Sequence, residues 1–535
     1  MRRSAHRRSL VAMSFGALGA CAGRAVVPAP TEGHRPEPVA PTMTPVAMPA
    51  AEVTRAPSAR ALLQHVADSA LGTPLWRNAR WGLLIVDATT GDTLYSHDAD
   101  KLFMPASNQK LLTGAVALQV LGPEYRWRTP VLLRGTQRGN VFRGDLVVVG
   151  SGDPSVSDSL RGGDALSAFD PIVAALRARG IRRITGHVLA DGDAFPGLTS
   201  GFGWEIDDQD TPSGAVVDEL VFNEGLLRLV VRGGRSSKAP VTVSRTPTTR
   251  YPALRVEART RAPSDTGARI DVAYDSTAQT LVVTGTVAVG DSARVSTAYR
   301  HPADAYRAAL LERLAARGMR VDGGLTLPLR TPVARDPVKS RGADTLVVLE
   351  SVPMRDVLPR LMKPSQNQIA ELLFRTSGLV GTGSGHADSA RALAARTLTQ
   401  LGVAAEHVAY RDGSGLSRHD YVTPRAILQV LDAMRRAPWG SMFRLALPLA
   451  GVDGTIANRL KNTPAAGNAS AKTGTLDKTR ALSGYVTSAD GRVVMFSMIA
   501  NSYTVPTREV DRVQDLLVAT LAGMQFGPAS AERPR

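Results

Sequence analysis

A single cysteine, Cys21, serves a chain of 535 residues, so no internal disulfide can brace the fold. Lysine is scarce too: eight lysines contribute to a total of 64 lysines and arginines. Beyond the N-terminal segment no apolar run is long enough to cross a bilayer. Gly-x-Ser-x-Gly does not occur, which removes a Ser-His-Asp hydrolase of the nucleophile-elbow type. His-Glu-x-x-His does not occur either, and the nine histidines are scattered without metal-ligand spacing, which argues against a metallopeptidase. No cofactor is expected. The net charge of +16 comes without any base-reading module, so an arginine-rich composition and an anionic envelope explain it, and no nucleic-acid partner is expected. There is no internal repeat.

What is present describes an exported globular protein. With 43% hydrophobic and 21% charged residues the chain is globular, and its length predicts more than one domain. The opening "MRRSAHRRSLVAMSFGALGACAGR" has a basic start, a short apolar stretch and small residues before a cleavage point, the pattern of an export signal over residues 1–20. Cys21 follows Leu18-Gly19-Ala20, which resembles a bacterial lipobox; the alternative is a chance cysteine in a discarded signal. The lipobox reading predicts an exported, periplasmic protein held at the outer membrane by a lipid anchor alone. Residues 21–57 then form a Pro/Ala-rich tether.

The folded part is expected from Ser58. "ALLQHVADSALG" predicts a helix, and "RWGLLIVDATTGDTLYSHDAD" a hairpin turning at Thr-Gly-Asp. In "FMPASNQKLLTGAVALQVLG" the leucines and alanines recur at helical spacing behind Pro105, placing Ser107 at the helix N-terminus and Lys110 one turn on. From about Pro130 short β-like runs alternate with Gly/Asp turns, as in "GDLVVVG" and "TLVVTGTVAVG", with two helical segments among them. Long helices return around "TLVVLESVPMRDVLPRLMKPSQNQIAELLFR". Three antiparallel strands from "SAKTGTLDKTRALSGYV" onward and an amphipathic helix, "REVDRVQDLLVATLAGM", close the fold.

Lys110 is the one lysine with a serine three residues before it. Arginine stays protonated in a protein, so a site needing a neutral amine as a base requires lysine. Ser365-Gln366-Asn367 and Lys472-Thr473-Gly474 also occur once each, in the order found in the penicillin-recognising serine enzymes. Ser107 is thus the candidate nucleophile and Lys110, its pKa lowered by burial and nearby cations, the base that takes its proton. Ser365 can relay a proton to the leaving amine, and Asn367 can bind substrate backbone and fix Lys110. Lys472 offers a fixed positive charge to a terminal carboxylate. Backbone N–H groups of Ser107 and Thr475 can hold the oxyanion, and Gly474 is expected to leave room for substrate to lie along the strand beside Thr473.

Together with "PASNQKLLT", "GDLVVVGSGDPSV", "MKPSQNQIAELL", "YRDGSGLSRHDYVTP", "LPLAGVDGTIANRL" and "AKTGTLDKTRALSGYV", these motifs make the chain resemble the class C low-molecular-mass penicillin-binding proteins, the D-alanyl-D-alanine carboxypeptidase/endopeptidase family. The one departure is Gln366, where the wider superfamily often has Asp or Tyr. The resemblance implies an α/β fold: a penicillin-recognising transpeptidase-like domain, an antiparallel sheet flanked by helices, built from residues 58–129 and 341–528. Two nested β-rich insertion domains would fill residues 130–340, and residues 529–535 would be a tail. It implies peptidoglycan stem peptides as substrates, through carboxypeptidase and endopeptidase cleavage, and β-lactams as covalent inhibitors on Ser107. It also implies an acidic residue from the insertion near the active site, for which Asp191 aligns best, although a turn aspartate is an equally good reading. Asp412 and Ser414 read as turn residues bordering the cleft. A β-lactamase and a non-catalytic wall-binding protein remain as alternatives.

Overall fold

The structure, a computed structural model, describes residues 58–209, 211–214, 216–262, 268–324 and 343–527. Cys21 and the tether lie outside the described residues. The chain enters through helix α1 (Ala59–Leu71), the hairpin β1 (Arg80–Asp87) and β2 (Thr93–His97), and helix α2 (Gln109–Leu121). It then leaves for the insertion. There β3 (Arg128–Arg138), β4 (Val141–Val149), α3 (Asp170–Ala178), β5 (Arg183–Ile184) and β6 (Val188–Asp191) come first. Seven strands follow: β7 (Leu226–Arg232), β8 (Thr242–Thr246), β9 (Ala253–Val256), β10 (Arg259–Arg261), β11 (Arg269–Asp275), β12 (Thr280–Ala288) and β13 (Ser292–Ala298). Helix α4 (Pro302–Ala316), β14 (Arg320–Val321) and β15 (Asp344–Glu350) end the excursion.

The chain returns through α5 (Met354–Met362), α6 (Asn367–Thr382) and α7 (Ala387–Gln400). Next are the short pair β16 (Val408–Ala409) and β17 (Tyr421–Val422), then α8 (Pro424–Arg436) and α9 (Gly440–Ala446). The end is β18 (Ser470–Leu476), β19 (Thr479–Thr487), β20 (Val493–Asn501) and α10 (Thr507–Gly523).

The central sheet runs β18-β19-β20-β1-β2, all antiparallel. β1 zips onto β20 from Arg80↔Asn501 to Asp87↔Val494, which rejoins the two separated halves of the domain. Side chains alternate across a strand, and here both faces are covered. Leu84, Met495 and Ile499 enter a core with α2, α5, α6 and α8. Leu83, Ile85, Phe496 and Met498 enter another with α1 and α10. Burial on both faces is why β1 reads as a near-continuous apolar run rather than an alternating one. Helix α2 lies inside this layer, with every residue from Gln109 to Leu118 buried.

In the insertion, β14-β5-β4-β3-β15 form one sheet that β6 joins by pairing with β4; β13-β7-β8 and β10-β12-β11 with β9 form two others. One continuous core containing Val131, Phe169, Leu229, Val283, Leu310 and Leu349 runs beneath all of them. The expected boundary at 340/341 shifts accordingly. β15 would fall in the second half of the transpeptidase-like domain, yet it pairs antiparallel with β3 and puts Leu346 and Leu349 into the insertion core. The stretch expected to begin the returning helices is thus a strand, its β-branched and leucine run Leu346–Leu349 completing the insertion sheet.

Candidate active site

Ser107 stands in a single 3₁₀ turn, Ala106–Asn108, that leads into α2. The turn is forced: Ala106 has φ +47°, a left-handed conformation costing a non-glycine residue about 1–2 kcal/mol. Strain of this kind persists where surrounding packing over-determines it, and Ala106 is buried. The turn directs Ser107 into a cleft of about 240 Å³, lined also by Ser213, Ser365, Asn367, Thr455, Thr473 and Thr475.

Lys110 follows one turn later on a helix that is buried all round, so its ammonium can only be accommodated by specific partners. Its Nζ donates to Ser107 Oγ at 2.8 Å, to Asn367 Oδ1 at 2.6 Å and to the Ser414 carbonyl at 2.7 Å. Burial lowers its pKa to about 7, against the opposing pull of Asp412, Glu371 and Asp420. Asn367 opens α6, and its amide nitrogen donates to the Ser213 carbonyl at 2.8 Å, a group supplied by the insertion. Gln366 caps α6, its Oε1 accepting from Ile369 N at 2.8 Å, while its Nε2 donates to the Glu224 carbonyl at 2.9 Å. The middle residue of the motif is therefore a helix cap and an anchor to the insertion, with its side chain engaged away from the chemistry.

Lys472 on edge strand β18 mirrors Lys110. It is fully buried, and its Nζ donates to Ser365 Oγ at 2.8 Å and to the Thr473 carbonyl at 2.9 Å. Burial first, then Lys110 and Arg480, push its pKa well below the ordinary lysine value. In the free protein the ammonium is thus opposed by its surroundings, and an incoming carboxylate would favour it. Ser365 has φ +63°, a second strained residue at the cleft.

Gly474 also has a different role from the one expected. A Cβ there would run into the Pro105 carbonyl and lie 3.2 Å from the Ala106 Cβ. The missing side chain lets β18 close onto the turn that carries Ser107, on the protein side rather than the substrate side. Thr473 and Thr475 line the cleft, with Thr475 exposed; Thr473 Oγ1 donates to Thr455 Oγ1 at 2.7 Å. Asp191 is not brought to the cleft. It is the last residue of β6, drawn into the sheet opposite Val149 and buried, with Oδ1 accepting from Gly192 N at 2.8 Å.

Asp412, expected as a turn residue, belongs to a group of buried carboxylates behind Lys110 whose other members, Glu371 and Asp420, sequence reasoning missed. Asp412 accepts from the backbone N–H of Ser414, Gly415 and Ser417 at 3.0, 2.6 and 2.7 Å, which makes the "DGSGLS" loop a shell around one carboxylate. Ser414 N also donates to Glu371 at 2.8 Å. Burial and the Asp412 charge push Glu371 up to about 8 and Asp420 well above its ordinary value. Glu371 had a signal in the sequence: it follows Asn367 by one helical turn within an otherwise apolar stretch, Ile369 to Phe374.

The D-Ala-D-Ala carboxypeptidase 3 (S13) family model matches residues 61–522. The D-alanyl-D-alanine carboxypeptidase of Actinomadura sp. (strain R39) is 32% identical over 86% of this chain and 84% of its own. D-alanyl-D-alanine carboxypeptidase DacB of Haemophilus influenzae is 26% identical over 79% and 85%. In three dimensions, the crystal structure of penicillin binding protein 4 (dacB) from H. influenzae superposes with TM-score 0.70 at 23% identity, covering 86% of this chain and 99% of that one. The same protein complexed with a novel β-lactam gives TM-score 0.64. Agreement along nearly the whole folded chain, insertion included, leaves neither a compact β-lactamase nor a wall-binding protein without activity: the chain belongs to the D-Ala-D-Ala carboxypeptidase 3 (S13) family and is a serine-type D-Ala-D-Ala carboxypeptidase.

Proposed function

We propose that the enzyme trims and cuts peptidoglycan stem peptides through an acyl-enzyme on Ser107, with Lys110 as the general base. The observation that carries this reading is the 2.8 Å hydrogen bond between a fully buried Lys110 and Ser107 Oγ, with the lysine's pKa lowered to about 7. A base poised near the working pH combines a useful neutral fraction with enough driving force to take the proton. Neutral Lys110 accepts the Ser107 hydroxyl proton as Oγ bonds to the carbonyl carbon of the penultimate D-Ala. The tetrahedral oxyanion is received by the N–H groups of Ser107 and Thr475.

On collapse the C–N bond breaks, and the proton taken by Lys110 is relayed through Ser365 Oγ, bonded to Lys472, to the departing amine, which leaves Lys110 neutral again. Water then attacks the ester, and its proton returns through Lys110 to Ser107 Oγ. Lys472 and Thr473 receive the substrate's terminal carboxylate, and the substrate backbone lies along β18, an edge strand of the central sheet. In endopeptidase cleavage the leaving amine belongs to a diaminopimelate side chain instead of D-Ala. β-Lactams take the same path to a stable ester on Ser107.

Reaction with a penicillin followed by intact-protein and peptide mass measurement tests the reading. One adduct on the peptide containing Ser107, absent in Ser107→Ala, is expected; an adduct elsewhere overturns it. We further propose that Cys21 is lipidated and holds the enzyme at the outer membrane. Cys21→Ser should release it from the membrane fraction, and equal membrane association of both forms would refute the anchor.

A further inference from the structure

The insertion does more than flank the cleft. Its segment from Gly201 to Gln209 reaches across to the transpeptidase-like domain, and one contact stands out for where it leads. The Trp204 indole N–H donates to Asp412 Oδ2 at 2.7 Å. Asp412 is the carboxylate around which the Ser414–Ser417 backbone is folded, and the Ser414 carbonyl is one of the three acceptors of Lys110. An unbroken path of hydrogen bonds therefore runs from the insertion, through one buried carboxylate, to the amine beside the nucleophile.

The contact is built rather than incidental. Gly201 and Gly203 flank Phe202 just before the tryptophan. A Cβ on Gly201 would collide with the Trp204 indole nitrogen and one on Gly203 with the His419 ring, so both glycines permit the close approach. Around it the Phe202 ring packs on His419 at 5.2 Å with Arg411 at 5.8 Å from its centroid, and Arg418 forms an ion pair with Glu205. These exposed contacts hold the segment down, while the indole N–H alone reaches the buried carboxylate.

We infer that Trp204 is a positioning residue for Lys110: through Asp412 it fixes the Ser414 carbonyl and tempers the negative charge that faces the lysine. The inference rests on Lys110 being the general base. The titratable groups facing Lys110 are Glu371 on α6, Asp412 and Asp420 on the loop before α8, and Lys472 on β18; Arg375 stands beyond Glu371. Because the carboxylates favour the ammonium, removing the donor that partly neutralises Asp412 should favour it further.

The test is Trp204→Phe, which keeps an aromatic ring and removes the N–H, with Trp204→Leu as a second variant of different shape. Stopped-flow acylation by a fluorescent penicillin is followed from pH 5 to 9, with saturation separating binding from the acylation step, and thermal unfolding is measured alongside. Both variants should show an acylation rate constant lowered about tenfold with little change in penicillin binding. Both should also show the acidic limb of the profile displaced to higher pH. A folded Trp204→Phe with wild-type rate and limb overturns the inference, and so does a lowered rate with an unmoved limb, which would mean packing alone. Lys110→Ala keeps the two readings apart: if it acylates normally, the base assignment fails. If it is inactive while Trp204→Phe is unaffected, only the positioning role fails.

Discussion

Lys110 and Lys472 are both fully buried, and each donates to a serine hydroxyl at 2.8 Å, Lys110 to Ser107 and Lys472 to Ser365. Two buried ammonium groups so placed oppose one another, and Lys110 contributes to the lowering of Lys472. One amine can thus be neutral to accept a proton while the other is charged once a carboxylate arrives. An arginine at either position would remove that choice.

Lys110→Arg should therefore be nearly as damaging as Lys110→Ala. Arginine keeps the charge but cannot take the Ser107 proton, and loss of a general base costs about 10²–10⁴-fold in rate. Stopped-flow acylation by a fluorescent penicillin measures it; an arginine variant at near-normal speed would leave Lys110 a purely electrostatic role.

Gly474→Ala should lower acylation more than about tenfold and destabilise the fold by about 1–3 kcal/mol, the usual cost of forcing extra carbon into a packed site. The new methyl group must displace either β18 or the Pro105–Ala106 turn that aims Ser107. Acylation kinetics with a denaturant melt check it, and an alanine variant with normal kinetics would return Gly474 to the substrate side of the strand.

The seam between insertion and transpeptidase-like domain depends on Glu224, whose side chain is wholly buried and which takes a bidentate pair from Arg360 on α5 at 2.6 and 2.7 Å. Arg360→Ala leaves that carboxylate only Arg228 at 3.5 Å and the Ser159 hydroxyl, and breaking a buried pair costs about 3–5 kcal/mol at most. Arg360→Ala combined with Glu224→Gln should recover part of the loss. Urea unfolding of the four forms gives the coupling; simple additivity would mean that the pair is not the seam's anchor.

Much of this site was legible because its chemistry is local in sequence. Ser107 and Lys110 sit one helical turn apart, and Lys472 to Thr475 follow each other along one strand, so spacing alone put them on common faces. The central-sheet hairpin and the last three strands could be read for the same reason. What was not legible depends on distant partners. Trp204 meets Asp412 across 208 residues, and Glu371 meets Ser414 across 43. A glutamate on a helix ordinarily reads as a solvent face. Asp191 aligned well as a segment, but its pairing with β4 buries it in the sheet, and register of that kind is set by the partner strand. Gly474 was read correctly as a close-approach position, with the approaching group on the wrong side.

The last prediction concerns Glu371 and stability. Its folded pKa of about 8 lies above the ordinary value of 4.5, because burial and Asp412 disfavour its charge. Between those values the native state holds a proton that the unfolded chain releases, so unfolding becomes easier as pH rises from about 4.5 to about 8, and the loss is complete above that. Glu371→Gln keeps an oxygen to accept from Ser414 N and removes the titration. Wild type and variant should melt at similar temperatures near pH 5, and the variant should become progressively the more stable up to pH 8 and stay so at pH 9. Because this carboxyl is already protonated below about pH 8, Glu371→Gln should leave the acidic limb of acylation, set by Lys110 near pH 7, in place, unlike Trp204→Phe. Calorimetry across pH with the acylation profile tests both parts. A stability difference that does not change with pH would mean that Glu371 titrates as an ordinary carboxylate and adds its charge to that of Asp412 and Asp420 behind Lys110.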